Sequence, residues 1–207
     1  MTELPALIAA FTTLFVIIDP PGLTPIFVAL TQGMTPAMRR AVLIRSVLIS
    51  FALLLAFMFI GEALLGFIGI SMPAFRIAGG ILLFLTALEM LFQKRQARRA
   101  DNAAEDDHDD PSVFPLAMPL TVGPGAITTV ILLAGQAEGT IDFVAITGVI
   151  IAVLGCVSLF FLAAGALERL LGATGINIVT RLLGMLLAAL ATQFVLDGIA
   201  QSFGIGA

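Results

Sequence analysis

Residues 15–27 read FVIIDPPGLTPIF, with one acid and three prolines inside an apolar run that extends from Leu4 to Leu30. Proline donates no amide hydrogen and clashes with the turn before it, so Pro20 and Pro21 interrupt any helix that reaches them. Pro25 is compatible only with the start of a resumed helix, and Gly22 allows a bend and the close approach of another group. In lipid each freed backbone group costs several kcal/mol, so a broken helix persists only where it faces protein or a water-filled cavity. The stretch therefore predicts a membrane span that is broken in the middle and faces inward.

The rest of the chain fits that reading. Of 207 residues 59% are hydrophobic and 12% charged, with a mean hydropathy of +1.11. A soluble domain of this length needs far more charge to cover its surface. Apolar runs recur at Leu4–Leu30, Ala41–Ile68, Pro73–Phe92, Phe114–Ala134, Phe143–Leu171 and Ile176–Ile199. Each reaches the roughly 20 residues that cross a hydrocarbon core about 30 Å thick. The alternation of a β-barrel is absent, so the expected fold is all-α with six transmembrane helices. The first run has Glu3 as its only early charge and no basic leader, so it reads as a retained span. Cys156 stands alone, which leaves no internal disulfide.

Basic residues set the expected orientation. Arg39, Arg40, Arg45, Lys94, Arg95, Arg98, Arg99, Arg169 and Arg181 fall in loops of one side, and Arg76 alone falls on the other. The positive-inside rule then makes the crowded side cytoplasmic, with the N- and C-termini periplasmic.

Between spans three and four lies QKRQARRADNAAEDDHDDPS, Gln93–Ser112, basic and then acidic. It reads as a solvated cytoplasmic linker, and its EDDHDD stretch around His108 reads as a tether rather than a metal site. The linker divides the chain into a first three-helix repeat, 1–92, and a second, 113–207, within one membrane domain. The halves resemble each other. DPPGLTPIFVALTQG in one answers VGPGAITTVILLAGQ in the other, with Pro21-Gly22 and Pro124-Gly125 separated by 103 residues. Glu62 answers Glu168, Gly66 Gly172, Gly69 Gly175 and Ile70 Ile176, at 106; Arg76 answers Arg181 at 105. A copy of three spans enters the membrane from the opposite side, so these matches predict a 3+3 inverted repeat with spans one and four broken at Pro-Gly. Such symmetry suits alternating access, which makes transport the leading expectation.

A break also creates a helix start, with free N–H groups and the positive end of a dipole. Two starts from related spans could converge on an anionic group. The expected substrate site is accordingly Asp19, Pro21, Gly22, Leu23 and Thr24 in span one with Thr121, Gly123, Pro124, Gly125, Ala126 and Thr128 in span four. Asp19 reads equally as a cap on the resumed helix and as a proton-carrying coupling group. Arg76 and Arg181, near opposite mouths, read as gates or as snorkelling side chains. No P-loop or hydrolase signature occurs, so neither an enzyme nor a cofactor is expected. The absence of Trp and Tyr argues against an aromatic cage for quaternary ammonium.

DPPGLTPIFVALT, AFRIAGGILLFLTALEML and PLAMPLTVGPGAITTV together closely resemble the MarC family, which includes small neutral amino-acid transporters. The resemblance covers all six spans. This chain carries Asp19 where the family commonly has Asn. The resemblance implies a bacterial inner-membrane protein that moves glycine, alanine or a similar amino acid with a proton, or sodium, as coupling ion. Beyond that substrate, the partners expected are the lipid bilayer and a second copy in a homo-oligomer, with no nucleic acid. A passive small-solute channel and a non-transporting membrane scaffold are the competing expectations.

Overall fold

A computed structural model describes residues 3–92, 94 and 110–205, which are helical with short connections and no strand among them. The helices are α1 (Leu4–Ile18), α2 (Pro20–Leu30), α3 (Pro36–Ile68), α4 (Met72–Leu91), α5 (Ser112–Thr121), α6 (Pro124–Ala134), α7 (Thr140–Leu162) and α8 (Ala164–Ser202). α1 and α2 together make one candidate span; α3, α4, α7 and α8 supply four more. α5 and α6, bent by 61° at their junction, make a sixth when counted as one. The acidic linker stretch and His108 lie outside the described residues.

Local chemistry sets the ends. Thr35 accepts from the Met38 amide at 3.3 Å and Ser71 from the Ala74 amide at 3.4 Å, so hydroxyls cap α3 and α4 where Pro36 and Pro73 occupy the first turn. Gly69, at φ 83°, stops α3 in the left-handed conformation, and the Ile70 amide reaches back to the Leu65 carbonyl at 2.9 Å. The fifth apolar run was expected to continue to Leu171. Instead α7 ends at Leu162 and α8 starts at Ala164, with its regular winding interrupted at Gly172 (φ 59°, ψ −179°). Hydropathy cannot see that turn, because the residues around Ala163 are as apolar as the helix they end.

α5 is the irregular element. Phe114 and Met118 are extended, each just before a proline, as the clash with the proline ring demands. Amides of Leu116 and Val122 each bond a carbonyl five residues back, at Pro111 and Ala117.

Burial separates the broken first span from the rest. In its most apolar window 61% of residues lie inside the protein, against 22–33% for the four unbroken spans. Span one is thus the centre of the bundle, while exposed side chains such as Phe67, Leu159 and Leu182 make the lipid-facing surface. Leu14, Ile18, Leu23 and Phe27 pack there with Leu116, Ala126, Val130, Ile150 and Val157.

The tightest crossing is antiparallel, between α4 and α8. A Cβ on Gly80 would fall 2.8 Å from the Ala191 carbonyl oxygen and 3.0 Å from the Val195 nitrogen. A Cβ on Gly184 would fall 3.3 Å from the Ala87 oxygen and 3.4 Å from the Leu91 nitrogen. The contact is reciprocal: Gly184 is Gly80 plus 104, Ala191 is Ala87 plus 104, and Val195 is Leu91 plus 104. Small residues that let backbones touch are how helices associate where lipid removes the hydrophobic drive.

Candidate functional site

The break in span one falls on Asp19, one residue before the prolines. Asp19 has φ 58° and ψ 64°, and it is the single non-glycine residue at positive φ among the described residues. Aspartate tolerates that conformation because its short polar side chain can bond locally, and here it does. Its carboxylate caps α2 by accepting from the Gly22 amide at 3.1 Å, and its carbonyl accepts from the Leu23 amide at 3.0 Å. Pro20 and Pro21 bring no N–H to the first turn. A Cβ on Gly22 would lie 2.1 Å from Asp19 Oδ2, so glycine is what leaves room for the carboxylate. Thr24 donates to the Pro20 carbonyl at 2.9 Å. The start of α2, expected to offer donors to a ligand, is therefore closed by the protein's own acid.

Asp19 is fully buried, as are Pro21, Gly22, Leu23 and Thr24. From α8 the Thr180 hydroxyl stands 3.5 Å from Asp19 Oδ1. Thr180 escaped the sequence reading, since one threonine in a 39-residue helix carries no local signal.

The second break is chemically different. α5 ends at Thr121, and Gly123, extended at φ −88° and ψ 173°, precedes α6 without a capping side chain. The Ile127 amide bonds the Gly123 carbonyl at 3.1 Å. The Gly125 and Ala126 amides find no acceptor among the described residues. A Cβ on Gly125 would meet Leu83 Cδ2 at 3.0 Å and Ile17 Cγ2 at 3.1 Å. Ile17 is two residues before Asp19, and Gly125 two residues after Gly123. The two breaks thus meet, against the middle of α4.

Thr121, Ala126 and Thr128 are buried beside the second break, and Gly123 and Gly125 are partly covered. Thr128 packs rather than bonds, its Cγ2 lying 2.3 Å from where a Cβ on Gly79 would stand. Two further hydroxyls, Thr129 on α6 and Ser50 on α3, are fully enclosed without a partner. Ser50 is placed by helical register. Gly61 packs on Ile131, with 2.4 Å from a would-be Cβ to Cγ1, and Arg45 pairs with Asp110 at the other end of α3, so α3 runs parallel to span four. Ser50 is three turns before Gly61, on the same face and about 16 Å lower. Gly123 lies about 12 Å below Ile131 on the same rise. On those rises Ser50 lies about 4 Å below Gly123, level with the end of α5.

The two arginines part company. Arg76 is 6% exposed, on the α4 face that carries Gly79, Gly80 and Leu83, and its guanidinium makes no hydrogen bond or ion pair among the described residues. Arg181 is exposed on α8. Near the Arg39 end of the bundle Phe27 stacks on Phe161 with centroids 4.2 Å apart, and Arg39 sits 5.0 Å over Phe27. Outside the spans, the Ser112 hydroxyl beside Asp110, the Ser112 amide that donates to it at 3.0 Å and the Arg45 guanidinium hold its carboxyl below the usual carboxylate range, against an opposing push from desolvation. An apolar groove of about 520 Å³ between α3 and α7, lined by Phe59, Phe143 and Ile151 among others, opens away from the breaks.

An all-helical bundle of five or six spans around a buried, polar, twice-broken centre defines a multi-pass integral membrane protein. The profile of the MarC family integral membrane protein matches residues 4–203, and the chain belongs to that family. It is 41% identical to a UPF0056 membrane protein of Archaeoglobus fulgidus, over 93% of this chain and 92% of that one. It is 35% identical to the UPF0056 inner membrane protein YhgN of Escherichia coli, over 93% and 95%, and 33% identical to the UPF0056 membrane protein YvbG of Bacillus subtilis, over 96% of each. These names carry a membrane and no substrate. No solved structure matches the chain.

Proposed function

We propose that this protein is a secondary transporter of small neutral amino acids, such as glycine or alanine, and that it works by alternating access without covalent chemistry. The observation that carries the reading is the meeting of the two breaks, Ile17 against Gly125, beside a fully buried Asp19. A buried acid and irregular backbone at membrane depth are costly, and they belong to substrate and ion pathways. The surrounding Gly, Ala and Thr side chains suit a small ligand, and Asp19 is the candidate for proton coupling.

Inverted-repeat architecture is part of the proposal. α2 and α6 each have eleven residues and start on proline, Pro20 and Pro124. Their starts are 104 apart, the same offset as the reciprocal α4–α8 crossing. That common register supports two halves able to exchange inward- and outward-open forms at similar energy. The sidedness of the basic residues supports periplasmic termini. On this reading Arg76 guards the periplasmic approach.

The test is uptake of labelled glycine and alanine into proteoliposomes, with and without a pH gradient. Saturable uptake, accelerated by substrate on the far side, is the expected result. Flux without such acceleration indicates a passive pore, and absence of uptake for every small amino acid removes the proposal.

A further inference from the structure

Arg76 lies within a span, is 6% exposed, and makes no hydrogen bond or ion pair among the described residues. A guanidinium brings a charge and five N–H donors, and burying them unmatched is costly. Helical register gives its surroundings. Met72, Gly79 and Leu83 share one face of α4 and meet α6 at Gly135, Thr128 and Gly125 in turn. The two helices are therefore antiparallel, and Arg76, on that same face, sits between the first two contacts. Ile17 of α1 meets the same Gly125. α3 follows span one after a short turn and runs parallel to α6, so α1 is antiparallel to α6 as well. One turn beyond the Ile17–Gly125 contact, toward the end where α1 begins, Thr13 then faces Thr129, each about 6 Å along its helix. Arg76 lies about 3–5 Å further out on the same rise. Thr129 is fully enclosed with no partner, and Thr13, 4% exposed, makes no hydrogen bond among the described residues. Elsewhere in the bundle Thr24, Thr86, Thr147 and Thr192 each donate to the carbonyl four residues back. One cation and two hydroxyls without partners thus share a layer between α1, α4 and α6.

What that layer lacks is a negatively charged group with more than one acceptor oxygen. The planar fork of arginine matches a carboxylate with two parallel bonds, and a hydroxyl can donate to the same oxygens. The geometry points to Arg76 as the receptor for the carboxylate of the transported ligand, with Thr13 and Thr129 lining the step between it and the two breaks. This assignment rests on the amino-acid reading and gives the ligand a direction: its acid end lies outward on α4, and its amine end lies toward the irregular backbone of the breaks. Amines without a carboxylate leave the guanidinium as unmatched as before, a penalty of the kind that gives polar sites their discrimination.

The experiment compares wild type with Arg76→Met, which is apolar and unbranched, and with Arg76→Lys, which keeps the charge without the fork. Stabilisation of the purified full chain by glycine and by glycinamide, at constant chloride, is measured by circular dichroism melting. Glycine uptake is measured in parallel. Without ligand, Arg76→Met is expected to melt at or above wild type, because it removes a buried charge that the protein does not match. Glycine is expected to stabilise the wild type at concentrations about tenfold below those glycinamide needs. In Arg76→Met that preference is expected to vanish, with the glycine requirement raised about tenfold and the glycinamide requirement unchanged. Arg76→Lys is expected to fall between, at about threefold. An Arg76→Met chain that fails to fold, or melts well below wild type without ligand, shows the guanidinium to be held by the protein itself and overturns the proposal. Equal stabilisation by glycine and glycinamide in the wild type, or a glycine preference that survives in Arg76→Met, overturns it while transport stands. Arg76-dependent, glycine-specific stabilisation without uptake supports the receptor and removes the transport reading. No stabilisation by either compound overturns the receptor, and absence of uptake as well overturns both.

Discussion

Asp19 and Gly22 form a pair whose energetics can be taken apart by substitution. At Asp19 two costs are separable, the left-handed backbone and the cap on the Gly22 amide. Asp19→Asn preserves both, since asparagine tolerates the conformation and caps equally well, so its stability stays within a few tenths of a kcal/mol of wild type. Asp19→Gly keeps the backbone and leaves a buried amide unbonded, a loss of about 1–3 kcal/mol. Asp19→Ala adds the left-handed penalty of about 1–2 kcal/mol, which places it about 2–8 °C in melting temperature below the glycine variant for a chain of this size. Gly22→Ala puts a Cβ 2.1 Å from Oδ2 and 2.8 Å from Cγ of Asp19, and the three nearest atoms all belong to that side chain. In the wild type the carboxylate must leave its cap, at about 1–3 kcal/mol. In the Asp19→Gly background the same alanine meets no carboxylate and gains up to about 1 kcal/mol of helix propensity. A double-mutant cycle therefore shows coupling of at least about 1 kcal/mol. The chain has no Trp or Tyr, so melting is followed by circular dichroism or by loss of the monodisperse gel-filtration peak. Equal cost for Gly22→Ala in both backgrounds, or Asp19→Ala as stable as Asp19→Gly, would refute the self-capping account. The asparagine variant then isolates charge from structure: under proton coupling its uptake loses its response to a pH gradient while its melting temperature stays put.

At the α4–α8 crossing, Gly80→Ala forces backbones apart and costs about 1–3 kcal/mol; Gly184→Ala, with more room, costs less. Gly155→Ala, which has nothing within 4 Å, is neutral or gains up to about 1 kcal/mol, and melting temperatures in that order are the check. Phe27→Ala empties a fully buried site stacked on Phe161 and costs about 3–5 kcal/mol, whereas Arg39→Gln, losing a cation over the ring, costs about 0.5–1 kcal/mol. Asp110 has a carboxyl held below its unfolded value, so its contribution is complete above the unfolded carboxylate range, about pH 4, and fades as the pH falls through the folded value. Asp110→Asn should melt below wild type at pH 7, and the gap should close at acid pH; a gap that widens on acidification contradicts this sign.

Where local chemistry dominates, the residues were readable. Pro20 and Pro124 break their spans wherever they are placed, because the missing amide and the ring clash belong to proline itself. The apolar runs mark their helices because lipid rewards continuous hydrophobicity, and the Leu4–Leu30 limits agree with the structure residue for residue. The likeness of the two breaks was legible as a pattern but not in register. Matching Pro21-Gly22 to Pro124-Gly125 gives an offset of 103, whereas the helices themselves start at Pro20 and Pro124, 104 apart. A helix start is defined by its cap and first turn, and a Pro-Gly pair marks only its neighbourhood.

From the sequence alone came an all-helical membrane protein, the number of its apolar spans, the two places where they break, and an acid at one of them. Each depends on what a residue does to its own few neighbours. Tertiary structure decided which of the two breaks still offers amides, that Arg76 is buried while Arg181 is exposed, that Ser50 is enclosed, and that Thr180 stands against Asp19. Those facts depend on which helix packs beside which, at a register set three turns away by contacts such as Gly61 on Ile131. No window of the chain contains both partners of such a contact, and only the packed bundle brings them together.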